Sequence, residues 1–308
     1  MALKSPVLLI GFNRYDTIKV VFDRIKQAQP EKLYFAVDGA RMGKKEEESV
    51  IRVRSVIDQV DWPCEVFTLF REENLGCGKG PAEAISWAFE KEDRLIVLED
   101  DCVPSISFFS FCDELLEKYK NDERVNIISG RSHQSDSKYF DNQDYIFTHY
   151  AHTWGWATWK RVWNEFDLYM RDFPKWIAGG GALNVLLTKE QGIRSNKVLQ
   201  RIYDHIDQEV THSWDSQWSY TRMKTGGLGI VPCKNLIQNI GEFGTHSQGH
   251  NKANDMIAEE MPKTLVHPLF VVANIGYEIL HYKKHILGLR KNIFLRAINK
   301  LIRMMKNN

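Results

Sequence analysis

The feature that most constrains this chain is the alternation along its first 130 residues. Short apolar runs at Pro6–Ile10, Leu33–Val37, Glu65–Phe70, Arg94–Leu98 and Val125–Ser129 have the length of strands. Segments of helical period separate them. In Tyr15–Gln29 the residues Ile18, Val21, Phe22 and Ile25 share one face, and Glu46–Val60, Gly80–Lys91 and Phe108–Lys120 are of the same kind. One apolar helix face needs a surface to cover, and a continuous apolar strand needs cover on both sides. A mostly parallel sheet between helical layers meets both needs, so the expected class is α/β. Ligands bind such sheets at the carboxyl ends of the strands.

After residue 131 the alternation breaks down. Residues 131–250 are rich in Trp, His and Gly with less regular elements, and the chain reads as helical again from Leu265. No internal repeat or low-complexity linker divides it. The expected organisation is one domain over residues 1–264, with a regular half (1–130) and a substrate-facing half (131–264), followed by a helical region, 265–308.

Charge and cysteine content exclude several classes. The 41 Lys+Arg and 40 Asp+Glu give a net charge of +1, which argues against a nucleic-acid binder. The five cysteines, Cys64, Cys77, Cys102, Cys112 and Cys233, are odd in number and form no Cys-x-x-Cys pair, against a disulfide framework or zinc ribbon. The N-terminal apolar run, Val7 to Ile10, is too short for a signal-peptide core, and no stretch reaches the roughly 20 apolar residues of a bilayer span. The expected location is cytoplasmic and reducing.

The polar residues that follow the strands carry the chemistry. Asn13 and Arg14 follow the first strand, Asp38 ends the second, and Glu99, Asp100 and Asp101 end the fourth. All should meet at one sheet edge. A carboxylate can accept from a base or ribose, and a divalent cation on carboxylates can bridge to phosphate oxygens. Any one of these reads equally as a solvated loop charge. Three consecutive acids are harder to dismiss, because their mutual repulsion is relieved by a cation. The Gly-rich stretch Glu72–Gly80, with Lys79 in it, precedes a helix; it lacks the Lys-Ser/Thr of a Walker loop and the dinucleotide fingerprint, and reads as a plain loop.

The ordered set of strand–Asn-Arg, strand–Asp-Gly, Asn-Leu-Gly and strand–Glu-Asp-Asp resembles GT-A-fold glycosyltransferases. Among them it is most similar to the mannosyl-glycoprotein β-1,2-N-acetylglucosaminyltransferase family, and bacterial surface-polysaccharide sugar transferases are similar too. Four further segments resemble that family in order: VPSISFFSF (103–111), GWATWKRVW (155–163), HSWDSQWSY (212–220) and PCKNLIQNIGEFGTHSQG (232–249). The resemblance spans roughly residues 5–250. It implies a three-layer GT-A sandwich with a mixed, mostly parallel sheet. It further implies that Arg14 and Asp38 hold the base and ribose, that Asp101 holds a divalent metal (Mn²⁺ or Mg²⁺), and that Asp100 contacts ribose or sugar. Glu99 would face the donor sugar, Asp215 would be the catalytic base, and the helix bearing Gly155 and Trp156, with Trp214, would lie on the acceptor side. Ser216 stands where the family carries a second acid. The implied partners are a nucleotide-sugar donor, UDP favoured, and a glycan or lipid-linked glycan acceptor.

Inverting sugar transfer needs a base for the acceptor hydroxyl, charge stabilisation for the departing diphosphate, and exclusion of water. Asp215, between Trp214 and Trp218, is expected to be desolvated and so a stronger base; a surface carboxylate on a helix whose two Trp form core is the plainer reading. Arg14 and Lys79 add positive charge. The Gly-rich segment Gly241–Gly249 is expected to close over the diphosphate, with His246 on pyrophosphate or metal. His149 and His152 read as structural, and Trp154, Trp156 and Trp159 as mostly core. Two other classes fit less well. A sugar nucleotidyltransferase usually carries glycines after the first strand, where this chain has GFNRYDT. A non-catalytic carbohydrate-binding protein has no need of Arg14, Asp38, Asp101 and Asp215 together.

Residues 281–308 carry eight Lys/Arg and no acid, which leaves 33 Lys/Arg against 40 Asp/Glu, a net of −7, on residues 1–280. On a helical wheel Ile286, Leu289, Ile293, Phe294, Leu301 and Met304 share a face opposite Arg296, Lys300 and Arg303. Such a helix suits the anionic inner face of a cytoplasmic membrane; a terminal helix packed on the domain, or a dimer contact, fits the same pattern.

Overall fold

The computed structural model describes residues 3–133, 137–206, 213–242 and 255–287. The strand–helix alternation is realised as β1 (Val7–Gly11), α1 (Tyr15–Ala28), β2 (Lys32–Val37), α2 (Glu47–Arg54), β3 (Glu65–Phe70), α3 (Gly76–Phe89), β4 (Arg94–Glu99), β5 (Cys102–Pro104), α4 (Ile106–Lys118) and β6 (Val125–Ser129). The second half supplies β7 (Tyr145–Thr148), β8 (Trp156–Trp159), α5 (Lys160–Trp163), α6 (Phe173–Ala178), α7 (Lys189–Ile206), α8 (Asp215–Lys224), β9 (Leu228–Pro232), β10 (Ile237–Asn239) and α9 (Ile275–His281).

Eight strands form one sheet in the order β3-β2-β1-β4-β8-β6-β9-β7. The first four are parallel, β8 is antiparallel to both β4 and β6, β9 is parallel to β6, and β7 is antiparallel to β9. The result is a Rossmann-like α/β fold with a mixed, mostly parallel sheet flanked by helices. Its core is apolar: Val7, Leu8 and Leu9 of β1 and Leu95 to Leu98 of β4 are fully buried, as is the α1 face of Ile18, Val21, Phe22 and Ile25. Each such side chain stabilises the fold by roughly 1.5–3 kcal/mol relative to exposure.

Three expectations need correction. Only the first part of the Gly-rich stretch, Glu72–Leu75, is a loop: α3 begins at Gly76, because Asp38 supplies the cap. Its carboxylate accepts from the N–H groups of Leu75 (3.0 Å) and Gly76 (3.1 Å), which have no partner within the helix. Residues 156–159 form a strand and not a helix, since Trp156 to Trp159 fill the gap between β4 and β6 with register Val97–Trp156 and Ile128–Ala157. Aromatic and β-branched residues favour that extended setting. Residues 265–274 are not helical either. Val266 and Ala273 are pinned to edge strand β7 by Val266 N–H to Asp144 Oδ2 (2.7 Å) and by a bridge to Phe147. The helix starts only at Ile275, where Asn274 caps it by accepting from Tyr277 N–H (2.9 Å).

Helix α9 and the π-helical turn after it, Tyr282–Leu287, close over a cluster of imidazoles. His133 lies 4.2 Å from His152 and 4.7 Å from His285 between ring centroids, and His281 lies 5.1 Å from His285. His281 is held near-parallel between Tyr150 (4.9 Å) and Tyr277 (5.9 Å). Burial pushes the imidazole of His281 down to about 3 and that of His133 down to about 2, helped by the Arg131 charge in the case of His133. His152 and His285 are also lowered, again chiefly by burial.

Candidate functional site

Parallel strands β1 and β4 lie side by side, so whatever follows them meets at one edge. Arg14, immediately before α1, reaches across to the acids after β4. Its Nε donates to Asp100 Oδ2 (3.2 Å) and its Nη2 to Asp101 Oδ2 (2.9 Å), with a second, shorter contact from Nη2 to Asp100 Oδ1. Paired charges hold the Arg14 proton more tightly than usual, although burial alone would loosen it.

Asp101 is held from a second direction. Its Oδ1 accepts from Asn239 Nδ2 (3.1 Å), at the end of β10, and its carbonyl accepts from Ile240 N–H (2.9 Å). The antiparallel pairing of β5 with β10, with Cys102 opposite Asn239, brings this about. Gly241 follows directly. A Cβ there would fall 2.3 Å from Asp101 Oδ2, so only glycine lets the backbone pass this close to the carboxylate.

Glu99 and Asp100 are lifted above the usual carboxylate range. Burial is the main cause for both. For Glu99, pushed up to about 8, the charges of Asp101, Asp100 and Asp215 add to it, while Arg14 opposes. For Asp100 the Arg14 charge opposes burial and Asp101 reinforces it. The Asp215 charge contributes to raising Glu99, although Asp215 lies on a helix more than 100 residues later. Its charge also raises the thiol of Cys77, in the first turn of α3, after burial.

Aromatic packing sets the position of the helix that carries Asp215. Trp214 and Trp218 are 4% and 0% exposed. They pack with Trp156 (5.5 and 5.4 Å between centroids) and Trp163 (6.2 and 5.1 Å), fixing the first turn of α8 against β8. Asp215 itself is exposed. The expected desolvation by its tryptophan neighbours is therefore corrected: they face the core and Asp215 faces away. Trp156 and Trp214 are corrected likewise, since buried indoles offer no face to a sugar. Gly155 is buried with φ +58°, and a Cβ on it would fall 2.2 Å from Ile237, so its role in this structure is steric.

The remaining expected site residues are engaged by the protein itself. Asp38 caps α3, and burial raises it despite the N–H groups of Leu75, Gly76 and Gly39. Asn13 donates to Glu46 Oε1 (3.2 Å). Lys79 lies near Glu83 (3.5 Å) on the surface of α3. His246, most of the segment Gly241–Gly249 and the tail beyond Leu287 lie outside the described residues. Sequence reasoning missed Cys77 and Asn239. The second lay inside a segment already singled out, 232–249, and only the β5–β10 pairing shows what it touches.

Beside Arg14 runs a groove of about 490 Å³ lined by Asn13, Tyr15, Thr17, Arg52 and Gly241. The Arg52 guanidinium stacks 4.0 Å over the Tyr15 ring. Among the described residues no three His, Cys, Asp or Glu side chains are grouped to hold a metal ion by themselves. The acids near Asp101 nevertheless outnumber Arg14, and their oxygens suit a hard cation of the kind that takes one or two carboxylates and completes its shell with substrate phosphates. Among the described residues no helix is long and apolar enough to cross a membrane.

No family model matches the chain, and no curated protein does. Among solved structures, the crystal structure of HddC from Yersinia pseudotuberculosis matches with a TM-score of 0.32 and 12% identity, over 56% of this chain and 86% of that one.

Proposed function

We propose that this protein is a metal-dependent, inverting glycosyltransferase of the GT-A type. It would carry a sugar from a nucleoside diphosphate, UDP favoured, to a hydroxyl of a glycan or lipid-linked glycan at the inner face of a cytoplasmic membrane. One observation carries the reading: Arg14, the acids Glu99 to Asp101 and Asn239 meet at the carboxyl edge of β1 and β4 from three separate parts of the chain.

In this reading the groove along Tyr15 and Arg52 takes the nucleoside, and Arg14 exchanges part of its bond to the acids for the donor diphosphate. Asp101 would hold Mn²⁺ or Mg²⁺, which supplies Lewis-acid neutralisation of the leaving group when bound. Asp215 is exposed and so open to an acceptor. It takes the proton as the acceptor oxygen bonds to the anomeric carbon, the bond from that carbon to the diphosphate oxygen breaks, and the electron pair leaves with the diphosphate.

The test is a thermal-shift series with nucleotide sugars, with and without Mn²⁺, followed by turnover assays. Asp101→Asn should lose the metal-dependent part of the donor shift. Asp215→Asn should keep the donor shift and lose on the order of 10²–10⁴ in kcat, the usual worth of a general base. Full activity in Asp215→Asn removes the base assignment. Release of pyrophosphate from a nucleoside triphosphate and a sugar phosphate replaces the reading with nucleotidyl transfer.

A further inference from the structure

After Asp255 the described chain passes the start of α4, where Glu260 accepts from Ile106 N–H (3.0 Å) and Ser107 N–H (2.7 Å). It then follows edge strand β7, fixed at Val266 by Asp144 and at Asn274 by a bond from its N–H to Phe147 O (2.8 Å). Between and just after these fixed points the apolar side chains face outward. Val266 is 54% exposed, Leu269 82%, Phe270 68%, Val272 64% and Ile275 54%. Isolated exposed apolar residues are ordinary, whereas a run of five in ten positions marks a contact surface for protein or membrane.

The charge around this ledge selects between the two. From Asp255 to the end, the sequence has nine Lys/Arg and four acids, Asp255, Glu259, Glu260 and Glu278. Glu278 is 1% exposed and accepts from His149 N–H (2.7 Å) and Thr148 Oγ1 (3.1 Å). Lys263, Lys283 and Lys284 are exposed among the described residues, as are Asp255, Glu259 and Glu260, and Glu114 pairs with His267 (3.1 Å); residues 288–308 add six Lys/Arg and no acid by sequence, so the balance of the region is positive. A second copy meeting ledge to ledge would bring these cations together, which opposes symmetric pairing. An anionic bilayer accepts both features, the apolar side chains at the acyl boundary and the cations among the headgroups.

We propose that Val266–Ile275 is the apolar contact of a peripheral membrane surface that docks on bilayers with anionic headgroups. It does not rest on the transferase reading, and its measurement needs no sugar donor. The full chain is sedimented with vesicles of phosphatidylcholine alone, and of phosphatidylcholine mixed with phosphatidylglycerol. The wild type should pellet with the mixed vesicles and remain largely in solution with the neutral ones. Leu269→Ser/Phe270→Ser should weaken that partitioning by roughly tenfold or more while the thermal midpoint stays put, because both side chains already face water. If the wild type ignores anionic vesicles, or the double variant pellets as well as the wild type, the proposal is overturned. It is overturned equally if light scattering shows a dimer that the double variant dissociates, which assigns the ledge to a second copy.

Discussion

Acidification should cost this protein stability through the imidazoles beneath α9. An unfolded imidazole takes up a proton near pH 6.5, whereas His281 in the fold holds out to about 3 and His133 to about 2. The unfolded state therefore binds more protons over that interval. Stability is complete above the unfolded value and is lost as the pH falls, with the loss continuing down to the folded values. Linkage puts the cost at ~2 kcal/mol for each such histidine between about pH 7 and pH 5. The two together amount to ~4 kcal/mol, a large share of the roughly 5–15 kcal/mol that a domain has, and His152 shifts in the same direction. The assay is urea denaturation followed by tryptophan fluorescence at several pH values across that range. His281→Gln retains a planar polar group between Tyr150 and Tyr277 but does not titrate. It should reduce the slope of unfolding free energy against pH by about 1.4 kcal/mol per unit, whatever it does to stability at neutral pH. An unchanged slope would refute the reasoning, because a buried neutral His281 must contribute to it.

Other expectations follow from single contacts. Asp38→Ala removes the cap of α3 and should cost roughly 0.5–2 kcal/mol, read from the denaturation midpoint at neutral pH. Trp218→Ala opens the aromatic core under α8 and should cost about 3–5 kcal/mol, with turnover falling as Asp215 loses its anchorage; native turnover in a folded variant would detach the Trp cluster from the site. Gly241→Ala drives a methyl group into the Asp101 carboxylate, so donor-induced thermal shifts should shrink even where the fold survives.

The regular half of the fold was legible because each element carries its own periodic signal. β3 and β6 have the bounds read from their apolar runs, and β1, β2 and β4 differ by a residue or so at their ends. The departures come where distant residues decide. Nothing local says that Asp38 caps a helix 38 residues away, so Gly76–Gly80 reads as a loop. Trp156 to Trp159 resembles a helix start until β4 and β6 are seen to need a partner between them. The acidic triplet could be picked out by its position after a strand, and Asp215 by its place between two tryptophans. That the tryptophans turn inward, leaving Asp215 exposed, is a matter of packing across β8. The imidazole cluster draws on positions 133, 152, 281 and 285, and no window of sequence contains it.

The backward-running strand β8 also bears on how the chain is made. Strands β1 to β4 can assemble as soon as Glu99 has emerged, but the free edge of β4 then has no partner until Trp156–Trp159 arrives. At ~5–20 residues per second, the intervening stretch of about 60 residues leaves that edge waiting for several seconds on the ribosome. An open apolar strand edge is a template for pairing with another chain. The nascent protein thus passes through a period in which crowding by its own copies, more than any weakness of the finished fold, decides how much of it reaches the native state.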